Sequence, residues 1–524
     1  MSKEKIRIVI GVFWAVFMAD NAYAQDSLFS MHSRDRLMYE NLWLSTNNAA
    51  GSIYNPYEPD GDFSFGYNRK EGELRYSGQS PEEDIFSLII NKSKRIKNIV
   101  FNGGISYYNL QQKDVGWTSR MNPMTRNPYL LADSLFGLYK KDYVALKGGV
   151  AILLSKRIAL GLNLNYLVGD GARIKDPRPK NRIYSLKVLP ALIYSFETLK
   201  VGLNLQYVMG REEIEYNTKE QSTTYRFFRT FGLGKTSTPV NGWNYYRNYY
   251  LDGYGGDLQF DYKWGNSKVL TGAGYLFKKE ASEDGKGIPQ KGDAGDYKER
   301  VINFYSVFNR KKRLNQQFSF QLEACLGTGV EYLEEPYIEK GITYYRTIAE
   351  LENYSLIQLT PIVNYAIAKP YNELMNKWEL NVHAGADIFQ SEYIYEAESS
   401  YTNLNAGVKL SRTLFCNAIN FLDIKADGQL NYNMSSNLNQ LSPYEASQEI
   451  AMWERVIQPN FLLDTANKYG GDLSIRYGYN IAETTAKLRF LYLDVNMGYR
   501  KGTNDVWNSR KASKFYGVKI GMLY

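Results

Sequence analysis

Only two histidines, His32 and His383, occur in the 524 residues. Imidazole is the usual proton carrier at neutral pH, so acid–base or nucleophilic chemistry would have to run through one of them or through paired carboxylates. His383 is four positions from Glu379 on one side and four from Asp387 on the other. On a strand those positions share a face but lie ~13 Å apart, too far for a direct hydrogen bond. His383 therefore reads as part of a polar network, not as a catalytic base. Two cysteines, Cys325 and Cys416, are too few for a disulfide framework. No Walker A loop, zinc-protease helix motif, nucleophile elbow or Cys-x-x-Cys pair occurs. The expectation is a non-enzyme without cofactor or metal.

Two further groups of residues invite binding rather than catalysis. Asp423, Lys425 and Asp427 alternate charge along one face, and Arg476 and Glu323 stand on the polar faces of their own segments. Such charges either pair with one another or filter solutes at a constriction. The stretch 225–250 is dense in aromatics and arginine, with Tyr225, Arg226, Phe227, Phe228, Arg229, Trp243, Tyr245 and Tyr246. That composition suits a surface for sugars, apolar solutes or a protein, or a loop folded inward to narrow a pore. Arg173, Lys175, Arg178, Lys180 and Arg182 make a basic cluster that either meets lipopolysaccharide phosphates or is solvated. The net charge of +8 is modest for this length. No long basic block exists, and no nucleic-acid partner is expected.

The elements that would carry these residues repeat with period two, the spacing of a strand with unlike faces. Leu160, Leu162, Leu164, Tyr166 and Val168 share one face, and Gly161, Asn163 and Asn165 the other. Val201, Leu203, Leu205 and Tyr207 oppose Gly202, Asn204 and Gln206 in a near copy 41 residues later. Leu258–Trp264, Phe318–Ala324, Trp378–Ala384 and Leu422–Asp427 alternate likewise. A soluble sandwich would bury the apolar face, whereas a transmembrane barrel turns it out to lipid and lines a wet interior with the polar one. Mean hydropathy of −0.43 excludes a bundle of membrane helices and does not touch a barrel. Aromatics reach 15%, including 45 tyrosines, whose apolar ring and polar tip suit a membrane–water boundary.

Connection lengths favour the barrel. Short links near 91–97, 155–158, 196–199, 264–268, 310–314, 369–376, 413–419 and 481–486 alternate with long ones near 111–141, 214–253, 281–296, 334–350 and 434–464. Short turns on one side and long loops on the other are the outer-membrane pattern, with the short side periplasmic. The expectation is an all-β antiparallel outer-membrane barrel of about 18 strands, within a range of 14–18, over residues 61–524. Both termini would lie in the periplasm. Residues 1–24 read as a signal peptide, with Lys3, Lys5 and Arg7 before the apolar run Ile8–Met18 and an Ala22-Tyr23-Ala24 cleavage site. Residues 25–60 form a periplasmic or lumen-plugging segment, with a short helix expected around Leu37–Leu44. At the other end Tyr516, Val518, Ile520, Met522 and Tyr524 share one face. This ending resembles the terminal-strand signal read by the barrel-assembly machinery, and it supplies the strand that must close against the first.

Asn47–Pro56 is similar to the Asn-Pro-containing N-terminal segment of hydrophobic-solute transport barrels, which there folds into the lumen as a plug. The Tyr/Asn/Lys-rich strands, the Asn-Asn-Ala-Ala-Gly stretch and the final Lys-Ile-Gly-Met-Leu-Tyr resemble large outer-membrane barrel families of Bacteroidota. The resemblance implies location and fold and names no substrate. Three functions stay open. The first is a channel or solute-uptake barrel for small polar solutes. The second is a facilitator for hydrophobic compounds, with Phe421, Phe490 and Tyr492 as an apolar lumen patch. The third is a structural partner of a surface lipoprotein or receptor. A TonB-dependent transporter is disfavoured, because it needs a large plug domain and about 22 strands. Beyond such a partner, the expected contacts are outer-membrane lipid and the assembly machinery.

Overall fold

The computed structural model describes residues 40–56, 61–217, 219, 226–237, 240–241, 244–285, 292–370, 376–415, 420–480, 490–503 and 512–523. The expected signal peptide and Tyr524 lie outside them, as do Leu37 and Met38. Strands in chain order are β1 Asp62–Gly72, β2 Glu82–Ile96, β3 Ile99–Val115, β4 Leu131–Ala132, β5 Gly137–Leu153, β6 Ile158–Arg173, β7 Arg178–Ser195 and β8 Leu199–Asn217. Then come β9 Arg226–Gly232, β10 Lys235–Thr236, β11 Val240–Asn241, β12 Asn244–Trp264, β13 Ser267–Asp284, β14 Gly292–Lys311, β15 Asn315–Glu339 and β16 Ile342–Pro370. The last six are β17 Asn376–Tyr393, β18 Ala397–Phe415, β19 Asn420–Gln440, β20 Lys468–Asn480, β21 Phe490–Gly502 and β22 Ala512–Leu523.

All but β4 and β9–β11 join one 18-stranded antiparallel sheet. It closes because β1 pairs with β2 on one side and with β22 on the other, from Asp62 opposite Leu523 to Gly72 opposite Ser513. Closure leaves no open edge in the sheet. The expected count of eighteen strands holds, as does the pairing of first and last.

The alternation read from the sequence sorts the side chains as a barrel does. Leu160, Leu164, Leu203, Leu205, Leu258 and Phe260 face outward and are exposed. So do Tyr516, Val518 and Ile520 on the closing strand, with Ile520 61% exposed; Met522 on the same face is half-buried. Outward aromatics mark two levels. Tyr207 and Tyr254, paired across β8 and β12, stand towards the long-loop end, and Trp264 with Tyr262 at the short-turn end. Tyr254 and Trp264 are ten positions apart on one strand, or ~33 Å along it. At the usual tilt that is ~25 Å of height, the thickness of an outer-membrane apolar band.

Five of the eight short links fall where expected, although β2 continues to Ile96 and shortens the first to Lys97-Asn98; the other three, at 371–375, 416–419 and 481–489, lie outside the described residues. One expected loop is not a loop. Between 334 and 350, β15 and β16 continue as a paired ribbon that turns on Lys340-Gly341, both at positive φ. Two positive-φ residues make the hairpin turn whose twist matches its strands. Its polar, β-branched and aromatic composition suited either state, and strand pairing decided it. Among the described residues no helix is long and apolar enough to cross a membrane.

Candidate solute site between two closures of the bore

Two bodies fold into the bore from opposite ends. At the short-turn end, residues 41–55 make two short 3-10 helices, Leu42–Ser45 and Ala49–Tyr54; the first part of the helix expected around Leu37–Leu44 lies outside the described residues. Asn41 and Asn48 cap them through their side chains, accepting from the amides of Trp43 and Ala50. Capping by Asn satisfies amides that a 3-10 turn leaves free. The segment buries Leu42, Trp43, Ala49, Ala50 and Ile53 against inward-facing Val100, Ala151, Ala159, Ala191 and Ile193. Glycines make the fit possible. A Cβ on Gly161 would sit 2.2 Å from the Ala50 nitrogen, and one on Gly202 2.5 Å from the Trp43 ring. These are the matching glycines of the two near-copy strands, so the internal repeat marks a docking surface.

Polar bonds complete this closure. The Trp43 indole donates to Asp261 (2.9 Å), and Arg95 donates to the carbonyls of Ile53 and Asn55 (2.9 Å each). Asn48 donates to Gln259 (3.0 Å), Gln259 to Asn204, and Asn204 to Asp257 (2.8 Å). Lys311 pairs with Glu40.

At the long-loop end, residues 116–136, 226–241 and 441–467 pack into a second body. β4 pairs with β9 across two of these loops. The third contributes helices Ser447–Met452 and Gln458–Asp464, joined by the π-helical turn Trp453–Ile457. Trp117, Ala132, Phe228 and Met452 form its apolar contact.

Inward charges on the barrel wall hold this body. Arg120 donates to Glu212 (2.9 Å) and Glu280 (2.6 Å) and stacks 4.0 Å above the Tyr249 ring. Arg173 and Asp133, wholly buried, meet at 2.9 Å. Arg247 pairs with Asp284 and donates to the Tyr129 carbonyl. Near the barrel wall the Tyr76 hydroxyl donates to Asp464. Burial, with Asp387 adding to it, pushes the Asp464 carboxyl up to about 6 against the opposing pull of Tyr76 and Lys468.

Between the two bodies is a cavity of about 200 Å³. Asn47 of the N-terminal segment and Arg126 of the loop body both line it, with Lys187, Asp257, Lys278, Glu299 and Glu323 from the wall. Lys278 meets Glu299 at 2.6 Å, and Arg126 reaches Glu299 (3.3 Å) and Glu323 (3.6 Å). Arg126 also donates to Gln358, which donates to Asp387 (2.8 Å). Among the described residues no ion pair holds Lys187.

The residues singled out in the sequence are dispersed. Glu323 lines the cavity, and Asp387 touches it through Gln358. His383 faces inward against Gly407, whose added Cβ would lie 2.4 Å from its ring. No described hydrogen bond joins His383 to Glu379 or Asp387; Glu379 accepts from Asn376 (3.1 Å). Asp423 accepts from Thr413 (2.6 Å), and Arg476 pairs with Asp494 (2.8 Å) above the Tyr492 ring. Lys425 and Asp427 follow on the same inward face, in register with Ser474 and Asp472.

Of the two readings that the 225–250 stretch allowed, its described residues take the inward fold. Phe227 is fully buried and stacked on Tyr216 (4.7 Å), with Tyr245 edge-on to it (4.9 Å). Phe228 is buried against Trp117, Arg229 pairs with Asp284, and Tyr246 donates to Glu215. Tyr225 and Trp243 lie outside the described residues, and of Arg226 only the backbone is described, in β9. Apolar burial beneath the other loops turned these aromatics inward. The basic cluster is likewise partly consumed, by Arg173 with Asp133, Arg178 with Asp176 and Arg182 with Glu213. Phe421, Phe490 and Tyr492 do face inward but are buried, the first two edge to face at 5.5 Å.

Sequence reading missed Arg126, Lys187, Asp257, Lys278 and Glu299. The inward parity of the four wall residues was available from the alternation; the position of a loop arginine was not.

A family model matches residues 50–524. The chain belongs to the family of unknown function DUF6850. The match takes in the second 3-10 helix, Gly161, Gly202 and every wall residue of the cavity. No curated protein matches the chain. Among solved structures it is similar to the outer membrane transporter YddB from Escherichia coli, at 10% identity over 88% of this chain and 81% of that one, with a TM-score of 0.40. It is similar to BauA, the ferric preacinetobactin receptor from Acinetobacter baumannii, at 7% identity over 88% and 80%, with a TM-score of 0.36. The RagAB peptide transporter matches at 8% identity over 85% and 77%, with a TM-score of 0.38. Strand count and closure rest on the chain's own hydrogen-bond register.

Proposed function

We propose that the chain is an outer-membrane uptake barrel for small polar solutes, closed at rest by its N-terminal segment and its folded loops. The observation that carries this reading is the charged cavity between the two closures, inside a barrel whose apolar side chains face out. An apolar band of ~25 Å between aromatic levels supports insertion in an outer membrane. Water-filled bores are expected at this strand number once unplugged. In this reading the short turns and both termini are periplasmic, residues 1–24 are the export signal, and the outward face of β22 is the assembly signal. No step of covalent chemistry is assigned.

Planar-bilayer conductance tests it. The full chain should conduct weakly, and deletion of residues 26–58 should raise conductance several-fold. Unchanged conductance would reject the plug. A folded monomer that stays soluble without detergent would reject the membrane barrel altogether.

The ribbon above the barrel favours a second reading, as the partner of a surface lipoprotein or receptor. Ile338 at its tip is 75% exposed, and Leu333, Ile348 and Leu351 are about half exposed. Stoichiometric co-purification of one lipoprotein, lost when the ribbon is shortened, would support it.

A further inference from the structure

The cavity is polarised along the bore. Strand register orders its wall into rows. Lys278 is paired with Glu299 and with Gly253, and Gly253 with Val208, which is paired with Lys187. This row is at the loop end, where Arg126 also enters. Asp257 is four positions from Gly253 on β12, ~13 Å along the strand towards the short-turn end. There it is paired with Asn204 and stands two strands from Asn303, across Gly274. The loop end thus carries three cations against Glu299. The plug end carries Asp257 beside Asn204 and, further round the same row past Asn303, Glu323, to which Arg126 reaches down.

We propose that this cavity binds a small zwitterion, with its carboxylate towards Lys187, Lys278 and Arg126 and its ammonium towards Asp257. The inference rests on the uptake reading, since it names the solute class of that site. Size agrees. About 200 Å³ is room for roughly seven water-sized groups, the scale of a short amino acid. Charge agrees too. Lys187 lacks an ion-pair partner among the described residues, and Asp257 is held by one neutral amide. Lys187 and Asp257 attract each other across the cavity without meeting, so each keeps capacity for an opposite charge. A solute with only one charge would leave the other end uncompensated. Arg126 is a specificity residue here, since its side chain comes from the loop body and reaches both Glu299 and Glu323.

Equilibrium dialysis of the detergent-purified full chain separates the possibilities, using 4-aminobutanoate, butanoate and butylamine as length-matched probes. The zwitterion should bind at least tenfold more tightly than either single-charge probe. Asp257→Asn should shift preference towards butanoate, and Lys187→Met towards butylamine. Equal or tighter binding of a single-charge probe, or no binding of any probe, would overturn the assignment. Unaltered selectivity in Lys187→Met would do so too, even where Asp257→Asn fails to fold. Binding is read without transport. A chain that binds the zwitterion yet stays shut after deletion of 26–58 would lose the plug and keep the site.

Discussion

The two closures of the bore are held by different physics. The loop body is pinned by ion pairs, Arg120 with Glu212 and Glu280, Arg173 with Asp133, and Arg229 with Asp284, a carboxylate that the wall's Arg247 also holds. The N-terminal segment is held by the partly exposed ion pair of Lys311 with Glu40, by charge-assisted bonds from Arg95 and to Asp261, and otherwise by apolar contacts and neutral hydrogen bonds such as Asn48 to Gln259. Removing one partner of a buried pair strands a charge and costs about 3–5 kcal/mol, whereas a neutral hydrogen bond contributes about 1. In the proposed uptake reading the loop body is the fixed wall of the site, and the N-terminal segment the part that releases. Its hydrogen-bond line from Asn48 through Gln259 and Asn204 ends on Asp257, so a solute at Asp257 competes with what holds the plug.

The contrast can be broken most forcefully at Arg247. Arg247→Ala should leave Asp284 buried with only Arg229 and destabilise the loop body by about 3–5 kcal/mol. Hydrogen exchange of residues 116–136 should accelerate by two or more orders of magnitude while residues 41–55 stay protected. If both closures loosened together, they would be one cooperative body.

Asp464 comes next. Its carboxyl is raised to about 6 in the folded chain from an ordinary 3.8, so the folded state holds a proton that the open loop gives up. That contribution is complete below about pH 4 and is lost as pH rises through 6, amounting to about 3 kcal/mol. Exchange of residues 447–464, corrected for intrinsic rates, should therefore be faster at pH 8 than at pH 5. Asp464→Asn should flatten the difference.

A smaller effect is expected at Gly202. Gly202→Ala places a methyl against the Trp43 ring, and overpacking of this kind costs about 1–3 kcal/mol. Plug protection should fall and single-channel openings should appear, with the heat stability of the barrel unchanged. The smallest is Asn48→Ala, which removes one cap, the bond to Gln259 and two long bonds to the Leu192 and Leu203 carbonyls, with a net cost of about 1 kcal/mol once water enters. It should raise plug exchange roughly fivefold and leave residues 116–136 untouched.

The barrel was legible from the chain because its signal is local. A lipid-facing strand must alternate, so Leu160–Val168 and Val201–Tyr207 declared their two faces, and the sorting of short and long links declared the two ends. The terminal face of Tyr516, Val518 and Ile520 carried closure for the same reason. Glu323 was found because parity placed it inward. The loops were not legible in this way. Phe227 and Phe228 look the same in sequence whether they greet solvent or bury beneath a neighbouring loop, and burial is settled by segments more than 90 residues away, such as Trp117. The ribbon at 334–350 likewise needed its partner strand to be recognised.

Residue types and their period of two were sufficient by themselves to determined strands, faces, closure and an inward polar lining, since each follows from the backbone's geometry and the contrast between its two surroundings. The tertiary structure alone decided that Arg126 meets Glu299 and Glu323, and that the glycines of two near-copy strands make room for Ala50 and Trp43. Contacts between distant segments depend on the summed packing of the whole chain, and no local pattern encodes that sum.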